Sequence, residues 1–201
     1  TYVTSRIIKE LKQHGYKVGY YKAALSGVEK GTEKMILSDQ DFVCQFADLD
    51  EINSKVSFVY EDAYAPHLAA KKSNCLVDLN VIKKDLDDMV MHHDIVIIEG
   101  SGGIICPLRD DENMIMLSDV MNLAKFPLII VTSSGLGSIN SAVLTALYAK
   151  SLGLEVLGFI MNYFEEDSIL HWDNQRMIEK LSGYRVLGYL GKNSDKIKKI
   201  S

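Results

Sequence analysis

Three runs, Ile95 to Ile98, Leu128 to Val131 and Val156 to Met161, have almost no polar side chain at any position. Neighbouring side chains of a strand point to opposite faces. A strand apolar at every position must be covered on both, as inside a parallel sheet flanked by helices. The segments between such runs carry apolar residues at helical spacing. Val3, Ile7, Ile8 and Leu11 mark one face of a first helix, and Gly15 stops it. Pro66 opens a short helix. Asp78 caps another, with Ile82, Leu86, Met89 and Val90 expected inward. Further helices are predicted over 115–124, 139–152 and 168–182, and shorter strands over 17–21 and 185–189. Residues 40–62 read as a helix followed by irregular chain. The alternation gives an α/β fold. It is a doubly wound, mainly parallel sheet with helices on both faces, in a single domain over 1–201, whose ligands bind past the carboxyl ends of the strands.

Composition narrows the classes of function. With 47% hydrophobic and 24% charged residues the chain can build a real core. A net charge of -5 without a basic block offers no footprint for nucleic acid or an anionic membrane. No apolar run approaches the roughly 20 residues of a membrane span. Thr1 to Gly15 is amphipathic and mixed in charge, unlike a secretion signal. Cys44, Cys75 and Cys106 show neither C-x-x-C nor zinc spacing, so they read as reduced, small buried hydrophobes of a cytoplasmic protein.

The polar residues at the strand ends suggest chemistry. Glu99 follows the run 95–98 and leads into Gly100-Ser101-Gly102-Gly103. A carboxylate there can hold a hard cation. The small residues let backbone N–H groups approach an anion. Together they suit Mg²⁺ and phosphate, although a polar strand end followed by a glycine turn has the same appearance. A serine-hydrolase elbow fails, because G-x-S-x-G would need glycine at 99. Lys22 closes the strand 17–21 in this reading and is followed by Ser26-Gly27; it can neutralise a phosphoryl group or be a solvated surface residue. Ser38-Asp39 is a helix cap, and Asp39 is also a candidate second carboxylate for Mg²⁺. Residues 131–140, VTSSGLGSIN, lead from a strand into a helix whose first N–H groups favour an anion. Asn140 stands where a dinucleotide fingerprint needs glycine, so that motif is unsupported. Asn162, just past a strand, can read an adenine edge or be a turn residue. No Asp, Ser or Cys stands near a histidine at triad spacing, and the histidines read as structural or surface groups.

The order of these pieces, YK-x-x-x-SG, SD, APHLAA, IIEGSGG-x-x-x-P, LGSIN and LGYLG, resembles the dethiobiotin synthetase family over essentially the whole chain. Ala23 stands where the family usually has proline. The resemblance implies an ATP-dependent ligase that closes the ureido ring of dethiobiotin from 7,8-diaminononanoate and CO2. It implies Mg²⁺ held by Thr1, Asp39 and Glu99, and Lys22 at the carbamate and the transferring phosphoryl group. Ser26 lies at the substrate, and Gly102 and Gly103 give backbone contacts near the reacting centre. The loop Leu136, Gly137, Ser138 and Asn140 receives the far carboxylate of the substrate across a homodimer interface. Asn162 and the loop near Gly188 to Gly191 hold adenine. No G-x-x-x-x-G-K-[ST] occurs in the chain, and Thr1 falls where the last residue of that loop would be. The expectation is that a strand and phosphate-binding loop precede Thr1. A related P-loop ATPase or amidoligase, or a binding module without catalysis, are the competing readings.

Overall fold

The computed structural model describes residues 1–28 and 38–199. The chain divides into two compact units, Thr1–Ala124 and Lys125–Ser201.

The first unit runs α1 (Tyr2–Gln13), β1 (Val18–Ser26), α2 (Asp39–Ala47), a 3-10 turn (Glu51–Asn53), β2 (Ser54–Tyr60), α3 (Pro66–Lys72), α4 (Leu79–His92), β3 (Ile95–Glu99), a short hairpin of β4 (Pro107–Arg109) and β5 (Ile115–Met116), and α5 (Leu117–Ala124). The order β2-β1-β3 is parallel throughout, with Tyr20 opposite Ile97 and Lys22 opposite Glu99. Alternation along β1 shows what covers each face. Val18 and Tyr20 pack with Ile8 of α1 and Val43 and Ala47 of α2. On the opposite face the Tyr21 hydroxyl shares a hydrogen bond with Ser57, which donates to Asp85 of α4. Burial pushes the Tyr21 phenol up to about 12, while the Ser57 hydrogen bond works against that rise. Gly19 is on the same face, and a Cβ there would lie 2.7 Å from Met89 Cε, so α4 sits close against the strand.

The second unit runs β6 (Leu128–Ser133), α6 (Ser138–Ser151), β7 (Val156–Asn162), α7 (Ile169–Ser182), β8 (Val186–Leu190) and β9 (Lys198–Lys199). Its sheet has the order β6-β7-β8-β9, parallel except for β9. Gly158 has φ +151°, and a Cβ there would meet Arg185 O at 2.4 Å. Only glycine fits that position.

Several expectations need correction. β1 is nine residues long, so Lys22 lies inside the strand and does not close it. Residues 54–60, expected to be irregular, form β2. Val90 is 46% exposed, because its position turns it away from the sheet that buries Ile82, Leu86 and Met89. Cys75 is exposed, Cys44 is half-buried and only Cys106 is buried. Gly188 lies within β8 and faces β9, where a Cβ would meet Lys198 O at 2.7 Å. Among the described residues no helix is long and apolar enough to cross a membrane.

Candidate active site

Parallel pairing puts Lys22 and Glu99 side by side on the face of the sheet that α1 and α2 cover. Glu99 ends β3, while β1 runs on to Ser26. Thr1 is the N-cap of α1, and Asp39 is the first residue of α2. Ser38 caps α2 in a box with Asp41, which fixes where the helix begins. Four side chains from four elements therefore meet at one point.

The contacts are short. Lys22 Nζ donates to Asp39 Oδ2 at 2.6 Å and to Glu99 Oε1 at 3.1 Å. Thr1 Oγ1 lies 2.7 Å from Asp39 Oδ1 and 2.6 Å from Glu99 Oε1. A hydroxyl carries one proton, so it donates to only one of the two carboxylates at a time. Lys22 is 4% exposed. A lysine this buried needs paired charge, and here it has two carboxylates.

Electrostatics keep both acids ionised. Burial raises Asp39, but the hydrogen bonds from Lys22 and Thr1 outweigh it and leave the group below the ordinary carboxylate range. Burial also raises Glu99, and the Lys22 charge reverses it. Tyr20, fully buried beneath them, has its hydroxyl 3.3 Å from Glu99 Oε2. Burial first, then the Glu99 and Asp39 charges, push the Tyr20 phenol far up, so it stays a neutral donor. A hydroxyl and two ionised carboxylates are hard oxygen ligands. They suit Mg²⁺, which keeps several waters and phosphate oxygens and needs no full protein cage. Among the described residues no cluster of three or more His, Cys, Asp or Glu offers a rival metal site.

Nearby positions are placed as follows. Ser26 Oγ donates to Tyr64 O at 2.7 Å. Gly102 has φ +119° and lies against the Cys106 thiol, and a Cβ on Gly103 would meet open space. Ser101 Oγ donates to Ala24 O, which ties the glycine loop to β1.

The other predicted residues belong to the second unit. Leu136 is 87% exposed, Gly137 is the left-handed N-cap of α6, and Asn140 is exposed. Ser138 is buried, and its Oγ has no hydrogen-bond partner. Asn162 ends β7, and its Oδ1 accepts from the Tyr163 N–H at 3.0 Å. A Cβ on Gly191 would lie 3.4 Å from Phe164 O. Sequence reasoning missed Tyr20, Ser134 and Asn174. The first looks like any core aromatic, and nothing local marks the last. Only Ser134, in the SSG after β6, carried a usable signal.

A family model described as an AAA domain matches residues 1–198. The chain is 45% identical over 190 residues to the ATP-dependent dethiobiotin synthetase BioD of Brachyspira hyodysenteriae, a match covering 94% of this chain and 84% of that protein. The chain belongs to the dethiobiotin synthetase family. Other BioD proteins of this family, from Clostridium perfringens and Clostridium botulinum, are 38% and 40% identical over 97% and 92% of the chain and cover 86% and 82% of their own lengths. Among solved structures, the septum site-determining protein MinD of Pyrococcus horikoshii, complexed with Mg-ADP, aligns with TM-score 0.53 at 15% identity, covering 95% of this chain and 75% of its own. The signal recognition particle 54 kDa protein of Aeropyrum pernix aligns with TM-score 0.54 at 13% identity, covering 98% and 40%. At such identities the likeness is one of fold alone.

Proposed function

We propose that the protein catalyses ATP-dependent closure of the ureido ring of dethiobiotin, acting on 7,8-diaminononanoate and CO2 in the cytoplasm as one carboxylase-type domain and as a homodimer. The observation that carries the reading is the convergence of Thr1, Lys22, Asp39 and Glu99. One substrate amine adds to CO2 and releases a proton, giving a carbamate. A carbamate oxygen then attacks the γ-phosphorus of ATP, and ADP leaves. The second amine attacks the carbonyl of the resulting carbamic-phosphoric anhydride. The C–O bond to phosphate breaks, the amine proton is lost, and the ring closes. No enzyme nucleophile is needed, so the protein positions the reactants and balances charge.

In this scheme Thr1, Asp39 and Glu99 hold Mg²⁺, which when bound offsets charge on the phosphate oxygens. Lys22 binds the carbamate and follows the negative charge as the phosphoryl group moves. Because Lys22 sits in a strand, its ammonium is held by a rigid element. Ser26 contacts the substrate diamine end, and Gly102 and Gly103 pack against the reacting centre. Leu136, Gly137, Ser138 and Asn140, at the start of α6, take the far carboxylate of the substrate. Asn162 and the turn at Gly191 hold adenine, with Gly188 behind them in the sheet. The test is an assay of the protein with diaminononanoate, bicarbonate and MgATP, following ring-closed product. Glu99→Gln should raise the Mg²⁺ concentration needed for half-activity. An unchanged Mg²⁺ titration would take Glu99 off the metal.

A further inference from the structure

Asn174 lies on α7, far from any motif, and is 5% exposed. Its Nδ2 donates to Ser134 O at 2.8 Å and to Gly135 O at 3.0 Å. Carbonyls only accept, so these two contacts fix which end of the amide faces the loop. Ser134 is fully buried, and its Oγ donates to Asn162 O at 2.8 Å, holding the loop from a second side.

These bonds orient more than the carbonyls. In a trans peptide unit the C=O and N–H point in opposite directions, and no peptide bond among the described residues is cis. The Ser134 carbonyl shares its unit with the Gly135 N–H, and the Gly135 carbonyl with the Leu136 N–H. Both carbonyls converge on one nitrogen, so both N–H groups are turned away from it. Successive N–H groups on one side form an anion-binding concavity. It leads directly into the left-handed Gly137 and the N-terminus of the 14-residue α6, whose dipole favours the same charge. The buried, unpartnered Ser138 hydroxyl stands at the first residue of that helix.

We propose that Asn174 is a positioning residue for substrate recognition: it sets the peptide planes of 134–136 so that their N–H groups present an anion site to the substrate carboxylate. The proposal rests on reading this loop as the carboxylate site. The experiment compares diaminononanoate with its analogue bearing a neutral primary amide in place of the carboxylate. The unaltered protein should prefer the carboxylate. In Asn174→Ala, KM for diaminononanoate should rise about ten- to a hundred-fold. Its kcat, KM for ATP and KM for the amide analogue should stay within about two-fold, so the preference disappears. General damage to the fold would weaken both substrates alike and would overturn the proposal. Retention of the carboxylate preference by Asn174→Ala overturns the proposal alone. Absence of that preference in the unaltered protein removes the reading of the loop and the proposal together. If Asn174→Ala does not fold, Leu136→Pro deletes one of the two N–H groups directly at an exposed residue. It should show the same selective loss, and a retained preference there overturns the proposal equally.

Discussion

Replacing Lys22 with methionine keeps an unbranched side chain, one atom shorter, and removes its charge. The side chains of Lys22 and Glu99 are 5% and 10% exposed, that of Asp39 38%. Removing one partner of a buried ion pair costs about 3–5 kcal/mol. The Asp39 arm is screened by solvent and adds at most about 1 kcal/mol. The Thr1 hydroxyl, 2.6 Å from Glu99 Oε1, remains in place and favours the lower end of the range. We expect a loss of about 3 kcal/mol at pH 7, measured by urea denaturation. The pH dependence separates this cause from lost packing. With Lys22 gone, burial dominates at Glu99 and raises its folded pKa above the unfolded value. The folded variant then binds more protons than the unfolded chain, so its stability rises as pH falls toward the ordinary carboxylate range. In the parent both acids are depressed, and their contribution is constant across that window. The difference between the two proteins should therefore shrink by at least about half between pH 7 and pH 5. In parallel, kcat should fall by about two to four decades. A stability difference independent of pH, or a variant as stable as the parent at pH 7, would refute the electrostatic argument.

Acid unfolding of the parent should reflect the same pair. Folded pKa values that lie below the unfolded ones give stability that is present above the carboxylate range and lost as pH falls through the lowered values. Glu99→Gln should flatten that loss below about pH 4, as followed by circular dichroism. Asp39→Asn, at the more exposed carboxylate, should lower stability by no more than about 1 kcal/mol yet raise the Mg²⁺ requirement clearly, and denaturant and Mg²⁺ titrations read the two effects separately. Gly158→Ala places a Cβ 2.4 Å from Arg185 O at φ +151°, so we expect a loss of about 3 kcal/mol or more. A melting temperature within a degree or two of the parent would show that β7 relaxes easily.

The parts of the fold legible in the sequence are those set by local pattern. β3, β6 and β7 announce themselves because their sequences are apolar at nearly every position, although only β7 is mostly buried and β6 leaves Ile129 and Val131 exposed. β2 does not, since Lys55 and Ser57 break the apolar pattern in order to reach Asp85. The length of β1 was hidden for a related reason. A lysine reads as a strand end, and what lets Lys22 remain inside is a pair of carboxylates 17 and 77 residues away in the chain. Asp39, Glu99 and Lys22 were each ambiguous as single residues, and their order along the chain singled them out. Asn174 could not be found that way. Its partners are main-chain carbonyls, and a sequence does not show which side of a peptide plane faces a neighbouring helix.

The cross-strand placement of Lys22 opposite Glu99 has a consequence for assembly of the sheet. Were β1 to slip by one residue against its neighbour, alternation would send the lysine to the face occupied by α4, away from Asp39 and Glu99. Such a misaligned ladder would part a buried ammonium from the two carboxylates that balance it, at a cost that disfavours the slip. The charges used for chemistry thus also proofread the pairing of the strands that carry them.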